Sequence, residues 1–197
     1  MKFNEETFKI EAEKEISRCR PGDWNHAKRV VSWIKKLGKG NRDIDLLIVA
    51  GYIHDIGWRG VLPKNKISFK ELLKLEKKAN KNSEKFAIKF LKNQNFSHKD
   101  ILIIYSLIRA ADKHSSNSEN EAIIVDSDNL SKLSIDHIKE KYQQREWIKM
   151  YMFFKRWVPK RIKTLKGKKI VPVLLKKLEK QNRPGSSVWI ERKVPNL

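Results

Sequence analysis

The sequence has little cysteine, glycine and proline, and it has no long apolar run. Cys19 is the only cysteine among the 197 residues, which excludes an internal disulfide and a zinc cluster built from thiolates. The apolar run at 46–53 is far shorter than the roughly 20 residues that a membrane-spanning helix needs. Because the N-terminus also lacks the pattern of a secretory signal, we expect one globular domain in the reducing cytoplasm.

Acidic residues are scarce relative to basic ones. The chain has 44 Lys and Arg against 23 Asp and Glu, which gives a net charge of +21. Such an excess favours polyanionic partners, including nucleotides, RNA, DNA and anionic membrane surfaces, and it equally fits a lysine-rich surface that only solvates the protein. Residues 155–183 contain twelve Lys or Arg and one acid, Glu179, so about half of the net charge lies in this segment.

Apolar residues recur at helical spacing along nearly the whole chain, and no alternating strand pattern occurs. The sequence therefore predicts an all-α, compact multi-helix bundle, formed by one domain over residues 1–181. The predicted helices run from about Phe3 to Pro21, from an N-cap at Asp23 to Gly38, from a cap at Asp43 to Asp55, and over 68–79, 83–93, 98–112, 121–133, 135–157 and 169–180. Residues 182–197 are predicted to be a tail outside the domain, and their sequence resembles the conceptual translation of a transfer-RNA gene.

An adjacent histidine and aspartate end the most apolar of these helices. An unpaired carboxylate at Asp55 would cost several kcal/mol, so either a cationic side chain pairs with it while His54 caps the helix, or a divalent metal binds both residues. His26 lies near the start of the preceding helix, which an antiparallel connection would bring close to the end of the next one. Asp126 and Asp128 interrupt a later apolar segment, and each alone could equally be a cap or a surface residue.

In this order, His26, the pair His54-Asp55 and Asp128 resemble the HD superfamily of metal-dependent phosphohydrolases, especially its small bacterial and archaeal members. The resemblance covers roughly residues 20–135 and includes D-x-x-H-x-x-R-V at 23–30, A-x-x-x-H-D-I at 50–56 and V-D-S-D-N-L at 125–130. It implies an HD-domain bundle with the metal site between helices. The implied ligands are His26, His54, Asp55 and Asp128, with Asp126 behind them, and the implied cofactor is one divalent ion of Mn, Co, Ni, Fe, Mg or Zn.

The resemblance also implies roles and an activity. Asp55 would be both ligand and water-orienting group, Arg29 would offset phosphoryl charge, and His114 would face the substrate or support the site. The activity would be that of a phosphomonoesterase or phosphodiesterase, acting on a phosphorylated, nucleotide-like substrate through a metal-activated water. Family members often carry another histidine where this chain has residues 80–83, so we expect a single metal. His98 and His137 are predicted to be surface residues.

A binding function is the main alternative. Residues 155–183, with Trp157 among their cations, could track a nucleic-acid backbone on an HD scaffold whose metal site is structural or vestigial. Arg59 and Lys64, in the loop after the His-Asp pair, are expected to be solvated surface charges. A membrane-surface role is disfavoured because the chain lacks a strongly apolar helix face.

Overall fold

The described part of the chain consists of helices and short connections, without a strand. A computed structural model describes residues 3–61, 66 and 68–181; the predicted tail and Lys64 lie outside the described residues. The helices are α1 Glu5–Ile16, α2 Asp23–Leu37, α3 Ile44–Ile53, α4 Phe69–Asn93, α5 His98–Lys113, α6 Glu119–Ser131, α7 Ile135–Lys141, α8 Trp147–Arg161 and α9 Leu165–Gln181, with single 3-10 turns at Ile56–Trp58 and Gln144–Glu146. The predicted all-α class is confirmed. None of the described helices is long and apolar enough to cross a membrane.

Helix α3 is the centre of the bundle and packs against α1, α2, α5 and α6. It is buried on almost every side from Leu47 to Ile53, as its nearly continuous apolar sequence predicts. Gly51 lets α2 approach closely, because a Cβ at this position would lie 2.5 Å from Cδ1 of Ile34. This close antiparallel packing brings the start of α2 beside the end of α3.

Two predicted helices are one. The segments predicted at 68–79 and 83–93 form the single helix α4, which begins with a capping box between Ser68 and Glu71. The break predicted between residues 79 and 83 is absent. Ala79 and Ser83 are both buried and lie one turn apart on the same face, so packing continues through a stretch that contains neither Gly nor Pro.

The long helix predicted at 135–157 is instead two helices. Helix α7 ends at Lys141, and Tyr142 is extended, with φ −118° and ψ 154°. The indole of Trp147 donates to the carbonyl of Tyr142 at 3.1 Å, which closes the turn before α8. The predicted end before Pro159 is also wrong, because buried Val158 and Ile162 continue the packed face of α8 past the proline.

Candidate metal centre

Three buried side chains from three helices meet where α2, α3 and α6 converge. His26 comes from the first turn of α2, His54 from the C-cap of α3, and Asp128 from the last turn of α6. Nε2 of His26 lies 3.1 Å from Nε2 of His54 and 3.2 Å from Oδ1 of Asp128, while Nε2 of His54 lies 3.8 Å from the same Oδ1. The bundle thus collects two imidazoles and one carboxylate around a single point.

Hydrogen bonds on the far side of each ring decide which nitrogen carries the proton. Nδ1 of His54 lies 2.9 Å from the carbonyl oxygen of Gly51, which can only accept, so this Nδ1 is protonated. The hydroxyl of Ser131 donates to the Asp128 carbonyl at 2.7 Å and therefore accepts from Nδ1 of His26 at 3.0 Å. Both Nε2 atoms are left as bare lone pairs that face each other.

This arrangement is electron-rich and suits a cation. Burial, followed by the charge of Lys141, lowers the pKa of His26 well below its usual range, so a shared proton is disfavoured. Metal–ligand distances of about 2.0–2.2 Å place neighbouring donor atoms about 3.0–3.5 Å apart, close to the separations of these three residues. Two imidazole nitrogens and a carboxylate oxygen also form a donor set that suits transition divalent ions. The residues fit a divalent metal.

Asp55 lies at the edge of the histidine pair, and it is also ion-paired. Its Oδ2 is 3.8 Å from Nε2 of His26 and 3.7 Å from Nε2 of His54. The same oxygen accepts from Nη2 of Arg20 at 2.6 Å and from Nζ of Lys141 at 3.1 Å. Burial alone would raise the pKa of Asp55, but Arg20 and Lys141 hold it well below its usual range. Asp55 therefore has the cationic side-chain partners that the first alternative predicts. It also lies near the two imidazoles, as the metal-binding alternative predicts.

Asp23 completes a buried network behind Asp55. It accepts from Nε of Arg20 at 3.1 Å and from Nζ of Lys141 at 2.5 Å, and the Arg20 guanidinium lies 3.9 Å above the Trp58 ring. The predicted N-cap role of Asp23 is wrong, because Gly22 is the N-cap of α2 and the Asp23 carboxylate is used for these ion pairs. Sequence reasoning missed both cations. The spacing of Arg20 from Asp23 was a usable signal, whereas Lys141 is 86 residues from Asp55 and had none.

His114 and Lys132 approach the other oxygen of Asp128. Lys132 donates to Oδ2 at 2.6 Å, and Nδ1 of His114 lies 4.0 Å from it. His114 is in the left-handed conformation at the C-cap of α5, with φ 51° and ψ 33°. Its Nδ1 is buried without a hydrogen-bond partner in the described part of the chain. Burial and the charge of Lys132 lower the pKa of His114 to about 3, so the ring is neutral near pH 7.

A cavity of about 110 Å³ opens beside these residues. Residues of three kinds line much of it: the acids Asp55, Glu76, Asp112 and Asp128, the cations Arg20, Lys132, Lys141 and Arg161, and the aromatic residues Trp58, Phe69, Tyr142, Phe153 and Phe154. Pockets that enclose a whole drug-sized ligand measure about 300–1,000 Å³, so this one encloses only the reacting end of such a molecule. A larger cleft of about 630 Å³ beside α1 shares no residue with it.

Comparison with known proteins agrees with the geometry. The family model described as HD domain matches residues 23–133. The chain belongs to the HD-domain superfamily of metal-dependent phosphohydrolases. No curated protein and no solved structure matches the chain significantly. HD domains bind divalent metals and are generally hydrolytic, which agrees with the group formed by His26, His54 and Asp128.

Asp126, the other acid of the HD-domain segment on α6, faces away from the metal centre. Its Oδ1 accepts from the backbone N–H of Lys163 at 2.6 Å, and its Oδ2 accepts from the N–H and the hydroxyl of Thr164 at 2.8 and 2.6 Å. These bonds tie α6 to the two residues that precede α9. The Thr164 hydroxyl also accepts from the N–H of Gly167 at 2.9 Å, which caps a helix that begins at Leu165 rather than at the predicted residue 169.

The other residues that the sequence analysis singled out lie in different environments. The structure does not bring Arg29 to the cavity; its Nη2 is paired with Oε2 of Glu140 at 2.8 Å. His98 is exposed, as expected, but the surface position predicted for His137 is wrong. His137 is 1% exposed, lies against His26 with ring centroids 4.8 Å apart, and lines the cavity, because the short helix α7 folds across α2. Arg59 pairs with Glu15, outside the cavity.

Proposed function

We propose that the chain is a phosphomonoesterase or phosphodiesterase that acts on a nucleotide-like substrate and uses one divalent metal. The observation that supports this most strongly is the pair of Nε2 atoms that face each other 3.1 Å apart, next to an aspartate oxygen, while the Nδ1 atom of each ring is engaged elsewhere. Without a cation these lone pairs repel each other, and the hydrogen bonds to Gly51 and Ser131 keep them in that orientation.

His26, His54 and Asp128 would hold the ion, with Asp55 as the fourth ligand. In the part of the chain that the structure describes, the first three form a single group whose donor atoms lie within 4.8 Å of one another, which supports one metal. A bound divalent ion lowers the pKa of water and polarises a phosphoryl oxygen. Its identity is left open by a mixed nitrogen and oxygen donor set.

The protein side chains would orient the reacting groups. Asp55 is ionised and held by Arg20 and Lys141, so its carboxylate can accept a hydrogen bond from an attacking water in a fixed direction. His114 is neutral and lines the cavity, so its imidazole can contact a substrate oxygen. The buried network behind Asp55 resists reorganisation, because each of its charges already has a partner.

The cavity wall supports a substrate that carries a flat ring. Phe69 and Phe153 line the cavity with ring centroids 4.8 Å apart, and both are only partly buried. A nucleobase outside the small enclosed volume could stack on such side chains while its phosphate reaches the metal centre.

A substrate screen tests the proposal. The metal-stripped chain is loaded with Mn²⁺ or Co²⁺ and offered a panel of nucleotides and a chromogenic phosphodiester. We expect release of phosphate or alcohol from at least one of them. His54→Ala and Asp128→Ala should abolish turnover, whereas His98→Ala, which removes an exposed histidine, should leave it unchanged. Equal turnover in all three variants would contradict the metal mechanism.

Nucleic-acid binding is the second candidate. It is supported by Trp157, which is 38% exposed on α8 and has the cations of Arg156 and Lys160 5.5 and 5.0 Å from its ring. A nucleobase could stack on Trp157, and the two cations could neutralise the phosphate backbone beside it.

A further inference from the structure

The cations of the cavity differ in whether they have a partner. Arg20, Lys132 and Lys141 each lie within ion-pair distance of a buried aspartate. Arg161 also lines the cavity, but no acid of the described chain lies within 4.0 Å of its guanidinium, and no hydrogen bond connects it to a described residue. Among the described residues it is therefore the cation of this cavity that has no counter-ion.

The burial of Arg161 makes a guanidinium without an anion unfavourable in free energy. Arg161 is half-buried, unlike the exposed Arg156 and Lys160 on the same helix. Burial lowers its pKa, and the more distant carboxylates of Asp128 and Glu76 offset this only in part. A partly desolvated guanidinium is stabilised when an anion supplies the hydrogen bonds that water no longer provides.

Helix α8 holds Arg161 in place. Phe154 and Arg161 are seven residues apart, which is about two helical turns, so they lie on the same face. Phe154 is buried in the core and also lines the cavity, so its packing anchors this face. Arg161 is consequently presented to the cavity from the last turn of a well-packed helix.

We infer that Arg161 binds the phosphoryl group of the substrate, so that α8 contributes a specificity-determining residue from outside the HD segment at 23–133. The planar guanidinium can donate two parallel N–H bonds to a phosphate, which an ammonium group cannot do. This inference rests on the proposed function, because it takes a phosphoryl group as the occupant of the cavity.

Binding of inorganic phosphate to the metal-loaded full chain tests the inference. We expect Arg161→Gln to weaken phosphate binding about tenfold or more, since a charge-assisted contact is lost. Arg109→Gln makes the same substitution at an exposed position of α5 outside the cavity, so its phosphate affinity should stay within about twofold of the wild type. Affinity for Mn²⁺ should be unchanged in both variants, which separates loss of the anion contact from damage to the metal centre.

Arg161→Lys keeps the charge and provides a second variant if Arg161→Gln does not fold, as judged by circular dichroism. We expect it to bind phosphate less tightly than the wild type. Equal effects of Arg161→Gln and Arg109→Gln, wild-type affinity in Arg161→Lys, or a wild-type chain that binds no phosphate would each overturn the inference. Arg161-dependent phosphate binding without turnover of any ester would support it while contradicting the proposed function.

Discussion

Asp126 and Asp128 are two residues apart on α6 and both are buried, yet their carboxylates have different partners. Replacing Asp126 with Asn should therefore mainly lower the stability of the fold, and replacing Asp128 with Asn should mainly lower the affinity for metal. Asp126 accepts three hydrogen bonds from residues 163 and 164, and an amide in its place would direct a donor at the N–H of Thr164. Two charge-assisted bonds at roughly 1.5–3 kcal/mol each are affected, and the Thr164 hydroxyl can reorient to recover part of this loss.

Asp126→Asn should consequently lower the free energy of unfolding by about 3 kcal/mol. Space is also tight here, because a Cβ on Gly167 would lie 2.4 Å from Oδ2 of Asp126, so the loop cannot shift inward to compensate. The affinity for metal should change little, since this carboxylate does not face His26 or His54.

Asp128→Asn should show the reverse. It removes an oxygen that lies 3.2 Å from Nε2 of His26, and we expect the affinity for Mn²⁺ to fall by at least about a hundredfold. Lys132 loses its partner but is 17% exposed and can reach water, so the metal-free chain should lose only about 1 kcal/mol of stability.

Urea denaturation of the metal-free chains and calorimetric titration with Mn²⁺ measure the two quantities separately. Loss of metal binding in Asp126→Asn with an unchanged free energy of unfolding would refute this assignment. So would an Asp128→Asn variant that keeps its metal affinity.

Two further predictions concern pH and the alternative function. Burial and the charge of Asp55 raise the pKa of Asp112 to about 8; between about pH 4 and that value the folded chain holds a proton that the unfolded chain has lost, so the contribution of Asp112 to the stability of the metal-free protein should fall as the pH rises. The buried histidines His26, His114 and His137, whose pKa values are lowered, contribute in the opposite direction below about pH 6.5. Urea denaturation across this range should show that the stability of the wild type relative to Asp112→Asn falls as the pH rises, and parallel curves would contradict it. If α8 binds nucleic acid, Trp157→Ala should weaken RNA binding about fivefold or more at low salt, measured by fluorescence anisotropy, while the partly exposed Trp33→Ala should not; the absence of RNA binding at low salt would remove this function.

The helical class could be predicted from sequence because its signal is local, whereas the grouping of His26, His54 and Asp128 was predicted through the resemblance to the HD superfamily. Helical spacing covers a few turns, and His54 and Asp55 are adjacent at the end of one apolar helix. Lys141 could not be found in this way, because its contact with Asp55 depends on the turn at Tyr142, whose extended backbone no periodic pattern indicates.

Arg29 shows a second limit of sequence reasoning. Its spacing from His26 places it near the same face of α2, but it does not reveal which residue the neighbouring helix presents there. Glu140 of α7 takes up the guanidinium, and His137 of the same helix fills the space beside His26. Because α7 was predicted as part of a longer helix, neither contact could be anticipated.

Titration of Mn²⁺ into the metal-stripped wild type, His54→Asn and His98→Asn tests the central claim most directly. The geometry of His26, His54 and Asp128 predicts that the wild type and His98→Asn bind one ion per chain with equal affinity, and that His54→Asn loses this binding. Wild-type affinity and stoichiometry in His54→Asn would contradict the account.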